Sequence, residues 1–227
     1  MTKSKTSRRA RPKRPPRPPR KHDGLTEARI LDAARAVFIR RGTFGARMQE
    51  IAKEAGVNQA LLHYYFRSKE GLSAAVFQQF ASRMFPAVVQ ILGSDMPLGE
   101  KVDRVVALYL ENLSANPFLP GYLLSELHHQ PERVQQLLAA AGASPGQMMR
   151  PVVGKLAAQI DAEVNAGRMR AIGPDQFAAN LLSLCVFPFA ARPMLSIVFG
   201  MDDAGFARFI EQRKQQLPEF IHAGLRS

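Results

Sequence analysis

One cysteine, Cys185, is the chain's entire thiol content, which excludes an intrachain disulfide framework and suits a reducing compartment. Cys185 lies in an apolar run, where burial is expected in place of reactivity. Acidic residues are absent from positions 1–22. That basic segment leads into prolines and not into an apolar stretch, so no secretory leader is read there. A long uninterrupted hydrophobic run is also missing. The most apolar segment, Phe177 to Phe199, is broken by Asn180, Pro188, Arg192 and Pro193, and reads as a buried helix of a soluble, cytoplasmic protein with no membrane partner. No Gly-rich phosphate loop, nucleophile elbow or paired-carboxylate pattern occurs, so the chain is read as a non-enzyme without a cofactor. Glu126, His128, His129 and Cys185 do not make a metal site, because they lack ligand spacing and adjacent helical histidines point about a hundred degrees apart. Beyond Pro86 there is neither β-alternation nor an Asn-Gly hairpin signal.

What is present is charge in one place and helical periodicity everywhere else. The net charge of +12 is concentrated at the N-terminus. Residues 1–22 carry ten Lys or Arg, residues 25–72 eight bases against five acids, and residues 73–227 thirteen of each. This asymmetry points to a polyanion partner for the N-terminal third. Prolines 12, 15, 16, 18 and 19 forbid helix in the basic segment, which is expected to be disordered in isolation. It is either a solubilising tail or a cationic arm that adds phosphate or minor-groove contacts.

Ile30, Ala33, Ala34, Val37 and Phe38 define the apolar face of a helix over 25–41 that Gly42 ends, with Thr43 to Ala46 as a loop. Met48, Ile51, Ala52 and Ala55 mark a short second helix ended by Gly56. Asn58 caps a third, whose buried side carries Leu62 and Phe66. Two short helices joined by a Gly-containing turn form a helix-turn-helix. Ser68 caps a fourth helix through Leu72, Val76, Phe80 and Met84, which Pro86 should kink or end. Further helices are expected over 98–114, 119–130 with a continuation to 140, 145–166 capped by Ser144, 174–199 and 203–223.

An ordered set of segments then stands out: Ile30-Leu31-Asp32-Ala33-Ala34, Phe38, Gly42, Glu50 to Val57, and Tyr64-Tyr65-Phe66-Arg67-Ser68-Lys69-Glu70-Gly71-Leu72. Residues 25–72 resemble the DNA-binding domain of the tetracycline-repressor (TetR/AcrR) family. The resemblance implies an all-α fold, with a three-helix helix-turn-helix domain over 23–72 and a larger helical effector-binding and dimerisation domain over 73–227. It implies a homodimer formed by the last two helices, here 180–199 and 206–221, reading an inverted repeat in double-stranded DNA. It also implies a regulator, most simply a repressor released by a small apolar effector. The alternative is a DNA-binding protein without an effector whose C-terminal domain docks a protein partner.

The third helix would project into the major groove. Asn58 and Gln59 carry amides suited to base edges, although Asn58 has the alternative role of cap alone. Gln49 faces the same side and matches a contact position of the family. His63 and Tyr64 point away from the core and suit phosphate contact. Lys69 and Arg47, at helix starts, suit phosphates as well; Arg47 and Gln49 otherwise read as solvated surface. Ala60, Leu61 and His63 depart from the family's frequent residues, and Ala60 either blocks close approach or meets a thymine methyl. Tyr65 is expected to pack on the first helix. For an effector, Phe80, Phe118, Tyr122, Met148 and Phe177 are candidate lining residues, each with ordinary core packing as its alternative.

Overall fold

The computed structural model describes residues 21–129, 131–140 and 145–226, with the backbone alone at 21–23, 133, 134, 137, 138, 140 and 145–148. Residues 1–20 of the basic segment, Gln130 and the expected cap Ser144 lie outside the described residues. Among those described, every regular element is a helix: α1 (Lys21–Gly45), α2 (Met48–Glu54), α3 (Gln59–Phe66), α4 (Lys69–Gly93), α5 (Leu98–Ala115), α6 (Leu119–His129), α7 (Pro131–Ala140), α8 (Pro145–Asn165), α9 (Pro174–Ala190), α10 (Arg192–Phe199) and α11 (Asp203–Leu225).

The apolar stripes sort these helices into two cores. Ile30, Val37 and Phe38 of α1 are fully buried with Ile51 of α2 and Leu62 of α3. A larger core joins α5, α8, α9 and α11 around Val102, Leu110, Leu156, Phe177, Cys185 and Ile210. Helix α4 belongs to both: Leu72 and Val76 enter the first core, and Met84, Val88 and Leu92 the second. Between them Phe77 and Ala81 meet Leu119 and Tyr122 of α6. The boundary expected at 72/73 therefore falls inside one continuous helix.

Three expectations need correction, and one of the two alternatives for Pro86 is removed. Helix α1 starts at Lys21, not Leu25, two residues beyond Pro19, the last proline of the basic segment. Gly42 does break it (φ 66°, ψ 169°), but helical turns resume over 43–45 where a loop was expected. Pro86 does not end α4, which runs on to Gly93. An interior proline costs about 3 kcal/mol, and burial of Met84, Val88 and Leu92 at roughly 1.5–3 kcal/mol each offsets it. The helix expected over 174–199 is two helices bent by 71° at Ala191. No single described helix is long and apolar enough to cross a membrane, though that bent pair has the length and composition. Burial of the segment holds for α9 only, because α10 buries nothing.

Lys101 is fully buried, which the sequence reading missed. Its Nζ donates to the Leu92 carbonyl at 2.6 Å, at the C-terminus of α4, and to Gln159 Oε1 at 2.7 Å. Gln159 Nε2 in turn donates to the Met96 carbonyl. Burial holds the Lys101 ammonium below the usual lysine range, and neighbouring Lys155 adds to that. Spacing contained the signal: Lys101 stands with Leu98, Val102 and Val105 on the apolar side of α5.

Candidate nucleic-acid interface

Helix α3 is short because both ends are chemically fixed. Asn58 is extended (φ −77°, ψ 156°), and its Oδ1 accepts from Leu61 N–H at 2.7 Å. At the other end Arg67 adopts φ 56°, in the left-handed region that a side chain seldom occupies. The turn that follows leads Ser68 N–H onto the Phe66 carbonyl. Ser68 Oγ then accepts from Gly71 N–H at 3.1 Å to start α4. A Cβ at Gly71 would lie 2.5 Å from the Phe66 carbonyl oxygen, so this tight junction requires glycine.

Those ends turn Leu62 and Phe66 into the core and leave Asn58, Gln59, Ala60, His63 and Tyr64 exposed, with Tyr64 78% exposed. Gln59 Nε2 and His63 Nε2 are 3.5 Å apart, and His63 Nδ1 is 2.9 Å from the Arg67 carbonyl. Both contacts are satisfied when His63 carries its proton on Nδ1, donates to Arg67 and accepts from Gln59. Tyr65 is half-buried against the first core and edge-on to Tyr64 at 5.5 Å. The outward face thus offers amide, imidazole and phenol groups, with no carboxylate between Gly56 and Arg67.

Arg47 and Gln49 are exposed at the start of α2, and the Arg47 side chain makes no capping bond. Lys69 is half-buried, and its Nζ donates to the Phe44 carbonyl at 2.9 Å. Seven of the eight expected residues are therefore on the surface and the eighth is tied across to α1. Two exposed neighbours went unnoticed in the sequence, Phe44 (79% exposed) and Arg67. Phe44 was detectable as an aromatic residue just beyond Gly42 with no place in the apolar periodicity. Arg40 pairs with Glu54 at 2.8 Å and Arg41 with Glu50 at 3.7 Å, which sets α1 against α2 through exposed pairs worth about 0–1 kcal/mol each.

The five effector candidates do not share one cavity. Phe118 lies 5.4 Å from Phe38 and Tyr122 6.1 Å from Phe77, both with Phe80 at the junction between the cores. Tyr122 lines an open cleft of about 320 Å³ with Phe44, Lys69, Glu70, Glu126 and His129. Phe177 instead lines an apolar cavity of about 120 Å³ with Val88, Leu92, Tyr109, Met149 and Leu156. The Met148 side chain lies outside the described residues. Burial, with Cys185 nearby, pushes the Tyr109 hydroxyl up to about 12, so it is neutral and able to donate. Cys185 is likewise pushed up to about 12 by burial, opposed by the Arg213 guanidinium.

The sequence model described as "Bacterial regulatory proteins, tetR family" matches residues 30–76, the span that forms the first core, α2, α3 and the start of α4. The repressor SCO4008 of Streptomyces coelicolor is 30% identical over 136 residues, 56% of this chain and 67% of that protein. The chain belongs to the tetR family of bacterial regulatory proteins. The HTH-type regulator MT0489 of Mycobacterium tuberculosis is 32% identical over 89 residues, so the alignment takes in 39% of this chain and spans only 38% of that relative's length. Among solved structures, the ketosteroid transcriptional regulator KstR2 of M. tuberculosis superposes with a TM-score of 0.61 at 17% identity, covering 88% of this chain and 95% of that one. That likeness carries the tetR-family fold across both cores, although the sequence match is strongest in the first.

Proposed function

We propose that this tetR-family chain is a dimeric transcriptional repressor that binds an inverted repeat in double-stranded DNA and leaves it when a small apolar ligand enters the second core. The observation that carries the reading is the division of α3, with Leu62 and Phe66 buried and Gln59, His63 and Tyr64 presented to solvent. Gln59 reads a base edge, the neighbouring residues position the helix, and Arg47 and Lys69 engage phosphates. Two recognition helices related by a two-fold axis meet half-sites about 34–36 Å apart or a multiple of that. The name of SCO4008 supports repression over activation.

The ligand reading rests on the apolar cavity. Its volume, about 120 Å³, is small against typical sites of roughly 300–1,000 Å³. A ligand therefore enlarges it, and two of its walls, Val88 and Leu92, belong to α4. Displacing them moves the helix whose first turn is joined to α3, which changes the spacing of the recognition helices. Tyr109 supplies a hydrogen bond that orients a ligand bearing one acceptor group.

Footprinting of the purified chain on DNA flanking its own gene, with and without small apolar compounds, tests the reading. Protection of an inverted repeat that a ligand abolishes is expected. Absence of any protected repeat there or elsewhere in the genome sinks it.

A further inference from the structure

Of the two amides expected to face base edges, Gln59 is the one with both its groups to offer. Asn58 Oδ1 is committed to Leu61 N–H at 2.7 Å as the cap of α3. Gln59, one residue on, is exposed, and His63 stands one turn further along the same face. The last torsion of a glutamine is soft, so an unheld amide can show a base its oxygen, its nitrogen or both. What Gln59 reads therefore depends on what holds it.

A strained turn supplies the hold. Ser68 N–H donates to the Phe66 carbonyl around Arg67 at φ 56° and ψ −44°, a γ-turn of the rare, strained kind. A helical Arg67 would send its carbonyl onward along the axis of α3; the γ-turn brings it to 2.9 Å from His63 Nδ1. A carbonyl only accepts, so Nδ1 carries the proton, and the neutral ring keeps a lone pair on Nε2. That lone pair lies 3.5 Å from Gln59 Nε2, the outer limit of a hydrogen bond, which a small rotation of the exposed amide shortens. The reversed amide would set Oε1 against it, acceptor facing acceptor. With no carboxylate between Gly56 and Arg67, α3 has no anionic acceptor to draw the amide elsewhere.

One N–H of Gln59 is thus taken up by His63, and the edge left facing outward sets Oε1 beside the second N–H. Adenine presents the matching donor and acceptor, N6–H and N7, in the major groove. We infer that His63 is a positioning residue, held in one tautomer by the Arg67 carbonyl, that makes Gln59 select adenine. This inference rests on the DNA-binding reading proposed above and assigns His63 to specificity in place of phosphate contact.

Selection by the full chain from a pool of random DNA duplexes tests it. The wild-type chain is expected to enrich adenine at one position of the bound sequence, and Gln59→Ala to make that position indifferent. His63→Phe keeps the bulk of the ring and lacks the acceptor. Its preference for adenine at that position should fall by on the order of 10-fold, with the other positions unchanged. A second measurement needs no DNA: the nitrogen NMR shifts of the His63 ring, assigned by difference from His63→Phe, should place the proton on Nδ1. A neutral ring protonated on Nε2 overturns the inference. So does an adenine preference that His63→Phe leaves intact, including the case in which binding weakens at every sequence, as loss of a phosphate contact would make it. Another base at the position that Gln59→Ala makes indifferent overturns it as well. A wild-type chain that enriches no sequence instead sinks the DNA-binding reading, and the inference with it.

Discussion

The Nζ of Lys69 donates to the carbonyl of Phe44 at 2.9 Å, joining the first residue of α4 to the last turn of α1. The ammonium keeps donors to spare, so the same group can brace the helix-turn-helix and meet a phosphate. Lys69→Gln retains a donor for Phe44 and removes the charge. We expect weaker DNA binding with a salt slope reduced by about 1, measured by titration at several salt concentrations. Weaker binding at an unchanged slope would make Lys69 a brace only.

Gln59 and Tyr64 stand on the exposed face of α3. Gln59→Ala is expected to cost about 1–3 kcal/mol of operator binding and to relax preference at one base pair. Tyr64→Ala is expected to weaken binding to all sequences similarly. Neither should shift the unfolding temperature, because neither side chain is in the core. Loss of stability in place of affinity would assign them to packing.

Deleting residues 1–22 removes ten of the 31 basic residues. If they act as an arm, binding falls roughly uniformly across sequences and the salt slope flattens by several units. An unchanged slope would leave a solubilising tail.

Lys101→Met removes the donor that satisfies the Leu92 carbonyl and Gln159. Gln159 is half-buried and can turn to water, whereas the orphaned Leu92 carbonyl costs about 1–3 kcal/mol, so chemical denaturation should show a loss of about 1–3 kcal/mol. A neutral outcome would mean that water replaces the ammonium.

Burial raises the Cys185 thiol from about 9 in the unfolded chain to about 12 in the folded one. The unfolded state therefore loses its proton first as pH rises. The contribution is fully present below pH 9 and is lost progressively toward pH 12. The stability of wild type relative to Cys185→Ala should be flat up to about pH 9 and fall above it. A constant difference through pH 11 would contradict this. Thiol reagents should also fail to label native Cys185 at pH 8.

Local chemistry made much of the N-terminal region legible. The stripes of α1, α2 and α3, the breaks at Gly42 and Gly56, and the caps Asn58 and Ser68 depend on residues a few positions apart, and all are present in the structure. The same periodicity placed Gln59, His63 and Tyr64 outward, because a helix of known phase leaves little choice of face. Packing between distant segments decided the rest. Pro86 is tolerated because Met84, Val88 and Leu92 are held by other helices, and Lys101 is inside because a carbonyl of α4 and an amide of α8 meet it there. Phe80, Phe118, Tyr122 and Phe177 look alike in sequence, yet tertiary structure sends three to the junction between the cores and one to an apolar cavity. Sequence fixes the phase of each helix through neighbours three and four residues away; which surfaces meet depends on contacts across the whole chain, whose partners no local pattern specifies.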